Sequence, residues 1–170
     1  MKYIVISDIH GGINELNKVL ELYKKLNCSK ILLLGDLFDY GFNAYSKEII
    51  TKLNSYKNDI IAVSGNCDNN IYELLFDIPY IRNIDLNNKK IFMTHGHLYN
   101  RNDLIKQEAD LIFIGHSHIS SIEKLENKII INPGSLAKSR LGSNSFCLVT
   151  EENISIRNLD NEIIEEKNIQ

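Results

Sequence analysis

Short apolar runs recur along the chain, and each stops at a polar cluster of similar make-up. Residues 2–7, 30–34 and 59–63 are runs rich in Ile, Leu and Val, too short for helices, and read as buried strands. Between them the periodicity changes. In residues 14–26, Leu16, Val19, Leu20, Tyr23 and Leu26 share one helical face, with Asn14 and Asn27 as ends, and residues 43–53 form a second amphipathic pattern. Strand, helix, strand, helix, strand is the grammar of an α/β sheet with parallel strands. Asp8-Ile9-His10 follows the first strand, Gly35-Asp36 the second, and Ser64-Gly65-Asn66-Cys67-Asp68 the third. Open α/β sheets bind ligands at these carboxyl ends.

The second half carries more reversals. Residues 71–76 read as a short helix. Residues 80–86 and 90–94 flank Asn87-Asn88, the sign of a hairpin, whose second arm ends in His95-Gly96-His97. Residues 101–108 suggest a helix and 111–114 a strand that ends at Gly115. His116 and His118 follow two apart, and strand geometry running past the glycine would set both imidazoles on one face. Residues 119–125 pair with 128–131 across Glu126-Asn127. The turn Asn132-Pro133-Gly134-Ser135 terminates that strand, and residues 145–150 and 153–158 make a final hairpin.

Composition narrows the classes. A chain of 170 residues, 44% hydrophobic, supports one domain over residues 1–170. With a net charge of -3 and scattered Lys and Arg, it offers no general attraction to nucleic acid. No apolar run reaches the roughly 20 residues of a membrane span, and Met1 leads straight into a strand rather than a leader, so no membrane association and a cytoplasmic location are expected. Cys28, Cys67 and Cys147 are far apart, with no Cys-x-x-Cys spacing, which argues against a disulfide framework or structural zinc and for a reducing compartment. Cys28 and Cys147 read as core fillers.

The polar clusters supply Asp8, His10, Asp36, Asn66, His95, His116 and His118. Any one of them has a plain structural explanation, a helix cap or a hydrogen-bonded histidine. Together they are too many for one tetrahedral ion and suit two cations. A carboxylate can bridge two metals, and cations about 3.5–4 Å apart clamp the attacking and leaving oxygens of an in-line displacement at phosphorus. Mixed imidazole, carboxylate and amide donors favour manganese, iron, cobalt, nickel or zinc over calcium or magnesium. Other chemistries lack their spacing: there is no Gly-x-x-x-x-Gly-Lys-Ser/Thr loop, Asp8-Ile9-His10 lacks a second aspartate, and no Ser or Cys nucleophile with a fixed base is legible.

The blocks Asp8-Ile9-His10, Gly35-Asp36, Gly65-Asn66-Cys67-Asp68, Thr94-His95-Gly96-His97 and Gly115-His116-Ser117-His118, followed by Asn132-Pro133-Gly134-Ser135, resemble the signature of the calcineurin-like metallophosphoesterase superfamily. In so short a chain they look most like its YfcE-like branch of small phosphodiesterases. The likeness spans residues 1–135. It implies two packed β-sheets flanked by helices, a four-layer sandwich. It places Asp8, His10, Asp36 and His118 on one metal and Asp36, Asn66, His95 and His116 on the other, with Asp36 bridging and manganese the first expectation. A hydroxide between the cations would attack a small phosphoester in line. Asn66 would also reach the phosphate, Asp68 would orient its neighbour, and a homodimer or higher homo-oligomer is expected. Cys67 stands where many relatives carry a histidine able to protonate the leaving group, with His97 as an alternative donor. A preference for aryl or activated diesters follows. Tyr40, Phe42 and Tyr45 are candidates for one cleft wall, and Arg140 for steering phosphate. The competing reading is a protein-binding scaffold of the same fold, for which eroded ligand positions would be expected, whereas all seven here are competent.

Overall fold

The apolar runs are strands because both of their faces are covered. The computed structural model describes residues 1–39, 45–68, 73–125 and 127–169. β1 (Tyr3–Ile6), β2 (Lys30–Leu33) and β3 (Ile60–Ala62) pair in parallel, joined by α1 (Ile13–Lys25) and α2 (Ser46–Asn54). The sheet continues from β1 through β9 (Ser145–Val149), β10 (Asn153–Asn158) and β11 (Ile163–Asn168), all antiparallel, giving six strands in the order β11-β10-β9-β1-β2-β3.

A second sheet has five strands in the order β4-β5-β6-β8-β7: β4 (Ile81–Leu86), β5 (Lys89–Thr94), β6 (Leu111–Phe113), β8 (Lys128–Asn132) and β7 (Ser121–Leu125). β5, β6 and β8 run parallel to one another. Asn87 and Asn88, with φ of 53° and 59°, form the two-residue turn between β4 and β5. Two consecutive left-handed residues match the strand twist, and asparagine tolerates that region better than most side chains.

Alternation along each strand divides the apolar residues between three clusters. Ile4, Ile6, Ile31 and Leu33 face Leu16, Val19 and Leu20 of α1 and Ile49 and Leu53 of α2. Tyr3, Val5, Leu32 and Leu34 face the other way and meet Met93, Leu111, Phe113 and Ile131 of the second sheet. The outer face of that sheet buries Phe92, Ile112 and Ile130 against Leu104 of α3 (Arg101–Ile105). The layers are therefore helices, sheet, sheet and helix, two packed β-sheets flanked by helices. Burying each large side chain contributes roughly 1.5–3 kcal/mol, so the inter-sheet and helix–sheet clusters together anchor the strand ends described below.

Local chemistry sets the helix ends. Asn27 stops α1 in a left-handed conformation (φ 52°), with Cys28 N–H on the Tyr23 carbonyl and Asn27 N–H on that of Lys24. Asparagine here does what glycine usually does at a helix C-terminus. α3 opens with a reciprocal cap, Asn100 accepting from Asp103 N–H while the Asp103 carboxylate accepts from Asn100 N–H. It ends at Ile105, short of the residue 108 expected.

Two further differences from expectation appear. Residues 71–72 of the expected short helix lie outside the described set, and 73–76 form a turn and bends instead of a helix. The Asn54 side chain bonds Glu73 O and Leu75 N–H, replacing the helical partners of that backbone. β11 was not foreseen, because Ile163-Ile164-Glu165-Glu166-Lys167-Asn168 has no alternation and is almost wholly exposed. Tyr40 and Phe42 lie outside the described residues; Tyr45 precedes α2 and is exposed. Among the described residues, no helix is long and apolar enough to cross a membrane.

Candidate metal centre

β1, β2, β3, β5 and β6 all release their polar clusters at one edge of the two sheets. Adjacent loops are stitched by backbone: Asp8 N–H to Gly35 O (3.0 Å), His10 N–H to Asp36 O (3.0 Å) and Gly115 N–H to His95 O (2.9 Å). Glycine precedes Asp36, Asn66 and His116. A Cβ on Gly65 would sit 2.1 Å from Asp36 Oδ1, and one on Gly115 would sit 2.0 Å from Ser7 Oγ. Neither position has room for a side chain.

Strand alternation does not orient His116 and His118. β6 ends at Phe113, and both histidines are left-handed, with φ of 67° and 60°. Asp8 (55°), His10 (44°) and Asp36 (53°) share this conformation. The chain beyond β1, β2 and β6 is thus bent sharply at residues that carry donors. Outside glycine such a residue costs about 1–2 kcal/mol, somewhat less for aspartate, so the surrounding fold must hold it there. The imidazoles of His116 and His118 consequently serve different groups.

Donor atoms of Asp8, His10 and His118 lie within 4.8 Å of one another, as do those of Asp36, His95 and His116, and those of His10, Asp36 and Cys67 link the two groups. Tautomers follow from the partners. His10 Nδ1 lies 3.0 Å from Asp39 Oδ1, His118 Nδ1 lies 2.8 Å from the Lys138 carbonyl, and His95 Nδ1 lies 2.7 Å from the Leu34 carbonyl. Carboxylates and carbonyls only accept, so all three Nδ1 atoms carry the proton, and in the neutral rings Nε2 is a lone pair. Yet His10 Nε2 and His118 Nε2 face each other at 3.1 Å. Asp8 Oδ1 lies 3.1 Å from His118 Nε2 and 3.6 Å from His10 Nε2, while Asp36 Oδ2 lies 3.3 Å from His95 Nε2 and 3.7 Å from His10 Nε2. Asp8 Oδ1 and His95 Nε2 are buried without a hydrogen bond. Facing acceptors in a buried space are stable only with positive charge between them, and this donor set fits divalent cations.

The acid–base balance agrees. Burial opposes charge on His10 and His95, but Asp8, Asp36 and Asp39 around His10, and Asp36 and Asp8 around His95, raise both above the ordinary imidazole value. Burial likewise works against the Asp36 carboxylate, and His95, the Cys67 N–H and His10 outweigh it, lowering its pKa to about 2. Burial and then the neighbouring His95 lower His97 and His116.

Around this cluster, Asn66 and Cys67 occupy the loop after β3, with Asn66 Nδ2 3.4 Å from Cys67 Sγ, and Cys67 N–H donates to Asp36 Oδ1 (2.9 Å). Asp68 is buried and accepts from the backbone N–H groups of Asp36, Leu37 and Gly65, clamping two donor loops together. Burial raises its pKa, and those three bonds oppose the rise. The His97 ring lies 5.4 Å from that of His95 and 6.1 Å from that of His116, with Nδ1 buried and without a hydrogen bond.

Residues 1–153 match the family model described as the calcineurin-like phosphoesterase superfamily domain. The chain belongs to that superfamily. It is 29% identical to phosphodiesterase YfcE of Escherichia coli K12, an alignment covering 96% of this chain and 95% of that protein. It is 30% identical to the probable metallophosphoesterase YsnB of Bacillus subtilis, covering 90% and 86%. Among solved structures, the YfcE phosphoesterase from E. coli superposes with a TM-score of 0.91 over 100% of both chains. Vps29 of Entamoeba histolytica, complexed with zinc, shares the fold with a TM-score of 0.72 at 23% identity. The chain is thus a calcineurin-like metallophosphoesterase by family, and its metal-competent cluster lies at the edge where the motifs converge.

Sequence reading missed the residues that tie this superfamily's motifs together here. Asn132 donates to Gly115 O (2.8 Å) and Ser117 Oγ (3.0 Å), and Ser135 Oγ donates to Asp8 O (2.8 Å) while accepting from Lys138 N–H. The Asn132-Pro133-Gly134-Ser135 turn, read as a strand terminator and as part of the family signature, staples two donor loops. Ser7 Oγ donates to Asp8 Oδ2 (2.6 Å). Asp39 was also overlooked, although its place three residues after Asp36 was a usable signal. Arg140 is exposed, and its backbone N–H donates to His118 O.

The strained backbone makes a distinctive prediction. Replacing exposed, left-handed His116 by glycine should raise the thermal midpoint of the metal-stripped protein by about 2–4 °C, the worth of roughly 1 kcal/mol in a chain this size. His116→Ala, which keeps the strain, should give no such gain in calorimetry.

A second prediction concerns pH. Raised His10 and His95 bind a proton more tightly folded than unfolded, so their stabilisation is complete below the unfolded value of 6.5 and is lost as pH rises through the folded values. Lowered His97 and His116 act only below 6.5, and Asp36 only in strong acid between about 2 and 3.8. Urea midpoints of stripped protein should therefore fall as pH rises from 6.5 through the raised folded values, and Asp36→Asn should flatten that fall.

Proposed function

We propose that this chain is a phosphodiesterase that hydrolyses small phosphoesters with two divalent transition-metal cations, manganese first among them. The reading is carried by one observation: two imidazole lone pairs facing each other at 3.1 Å beside buried carboxylates. Asp8, His10, Asp36 and His118 would hold one cation, and Asp36, Asn66, His95 and His116 the other. When bound, such a pair supplies charge to neutralise the phosphoryl oxygens and a water nucleophile available at neutral pH. Full retention of the donor set disfavours the scaffold reading.

The chain's own residues divide the remaining work. Asp36 faces both groups of donors through one oxygen, Oδ2, which lies beside His10 Nε2 and His95 Nε2, while Oδ1 accepts from the Cys67 N–H and Asp68 holds the backbone beneath it. His116 is exposed and can receive substrate from solvent. His97 has a lowered pKa, so its ring is neutral at neutral pH and a weak acid toward a departing alkoxide. Cys67, whose sulfur lies within 4.8 Å of donor atoms of His10 and Asp36, offers a thiol in place of an imidazolium. Leaving groups that depart without a proton, such as aryl oxides, are therefore favoured.

Stripped protein titrated with manganese, zinc, cobalt, nickel or iron should regain hydrolysis of an aryl phosphodiester as two equivalents bind, with slower turnover of cyclic nucleotides, monoesters and phosphopeptides. Metal-independent turnover, or saturation at one equivalent, would refute the reading.

Cys67→His should raise the rate on alkyl diesters by about 10-fold or more while changing aryl diesters little, since a positioned general acid is worth roughly 10²–10⁴-fold where protonation limits the rate. An unchanged dependence on leaving-group pKa would exclude Cys67 from that role.

A further inference from the structure

One residue outside every motif reaches both imidazoles of the Asp8–His10–His118 group. Lys138, in the loop after β8, accepts the His118 Nδ1 proton on its backbone carbonyl at 2.8 Å. Its ammonium lies 2.5 Å and 2.7 Å from the two oxygens of Asp39. Asp39 in turn accepts from His10 Nδ1 at 3.0 Å. The same residue is anchored by its own N–H on Ser135 Oγ, the hydroxyl that holds the Asp8 carbonyl. We propose that Lys138 is a positioning residue that sets the tautomer and aim of both His10 and His118 toward a divalent cation, acting on His118 through its carbonyl and on His10 through Asp39. The proposal rests on the metal reading above.

The argument turns on what each contact restrains. Asp39 and Lys138 are each about half exposed, with side chains 48% and 47% accessible, so the ion pair adds little to fold stability. Without the ammonium on both of its oxygens, the Asp39 carboxylate is free to rotate into water and release His10 Nδ1. His10 can then place its proton on Nε2, the atom that must stay bare to bind a metal. A lysine close to a cation site also repels cations, which works the other way. Water screens that repulsion at a half-exposed ammonium, whereas positioning acts through a direct hydrogen bond, so positioning should win.

The two effects have opposite signs, which makes the test decisive. Manganese affinity is measured by chelator competition in a His116→Ala background, where only the Asp8–His10–His118 group keeps all its side chains. Asp39→Ala should weaken binding about 10-fold or more, Lys138→Ala about three- to 10-fold, and Lys138→Arg should restore it. Because the lysine side chain acts through Asp39, the double variant should be no weaker than Asp39→Ala alone. In metal-free protein, at a pH high enough that the His10 ring is neutral, ¹⁵N imidazole shifts should show His10 moving from the Nδ1–H form toward a mixture in both single variants, with His118 unmoved because the carbonyl remains. Tighter or unchanged manganese binding in Lys138→Ala, or losses that multiply in the double variant, would overturn the proposal while leaving the metal reading intact. Failure of the parent protein to bind manganese, zinc, cobalt, nickel or iron would overturn both.

Discussion

Three imidazoles are obliged to give their Nδ1 protons to fixed acceptors, the Leu34 carbonyl, the Lys138 carbonyl and the Asp39 carboxylate, and so must turn bare nitrogens inward. That obligation organises the rest. Inward lone pairs next to Asp8 and Asp36 repel one another, and the fold tolerates them only because the inter-sheet core fixes the strands that carry them. The energy for this comes from packing, while the polar edge itself is held in a state that favours cations over water.

The backbone shows the same division. Five donor residues occupy left-handed conformations, at a combined cost of several kcal/mol that the packing of the fold must offset. Glycine at these positions would relieve the strain and remove the donor. Before Asp36 and His116 a glycine sits one place earlier instead, at Gly35 and Gly115, where a neighbouring loop presses against the chain. Retaining Asp and His at the strained positions is therefore more informative than the residue types alone.

Much of this was legible in the residues. Period-two and period-3.6 patterns located β1, α1, β2, β3, the β4–β5 hairpin and the β7–β8 and β9–β10 pairs, because each had one apolar face or was apolar on both. β11 escaped because it is polar and exposed and owes its existence to pairing with β10. The clustering of donors at strand ends was visible because such ends converge in α/β sheets. Their orientation was not. Alternation past Gly115 suggested that His116 and His118 face one way, yet left-handed backbone at each sends the rings to separate groups, and no pattern of side chains announces a positive φ at histidine. The staples, Asn132, Ser135 and Lys138, were hidden for a related reason: a turn sequence discloses its own bend but not the distant carbonyl that its side chains will meet.

The span of those staples has a bearing on how the protein comes into being. Asp8 and Ser135 are separated by 127 positions, and His10 and His118 by 108. During synthesis the early half of the chain emerges long before its partners exist, so the nascent polypeptide holds scattered acids and imidazoles with little collective pull on free ions. Contacts this remote in the chain also close late and slow the search for the native state. Assembly of the centre is in this way deferred until the whole sandwich has been translated, and a stretch ending before Ser135 would leave Asp8 without its clasp.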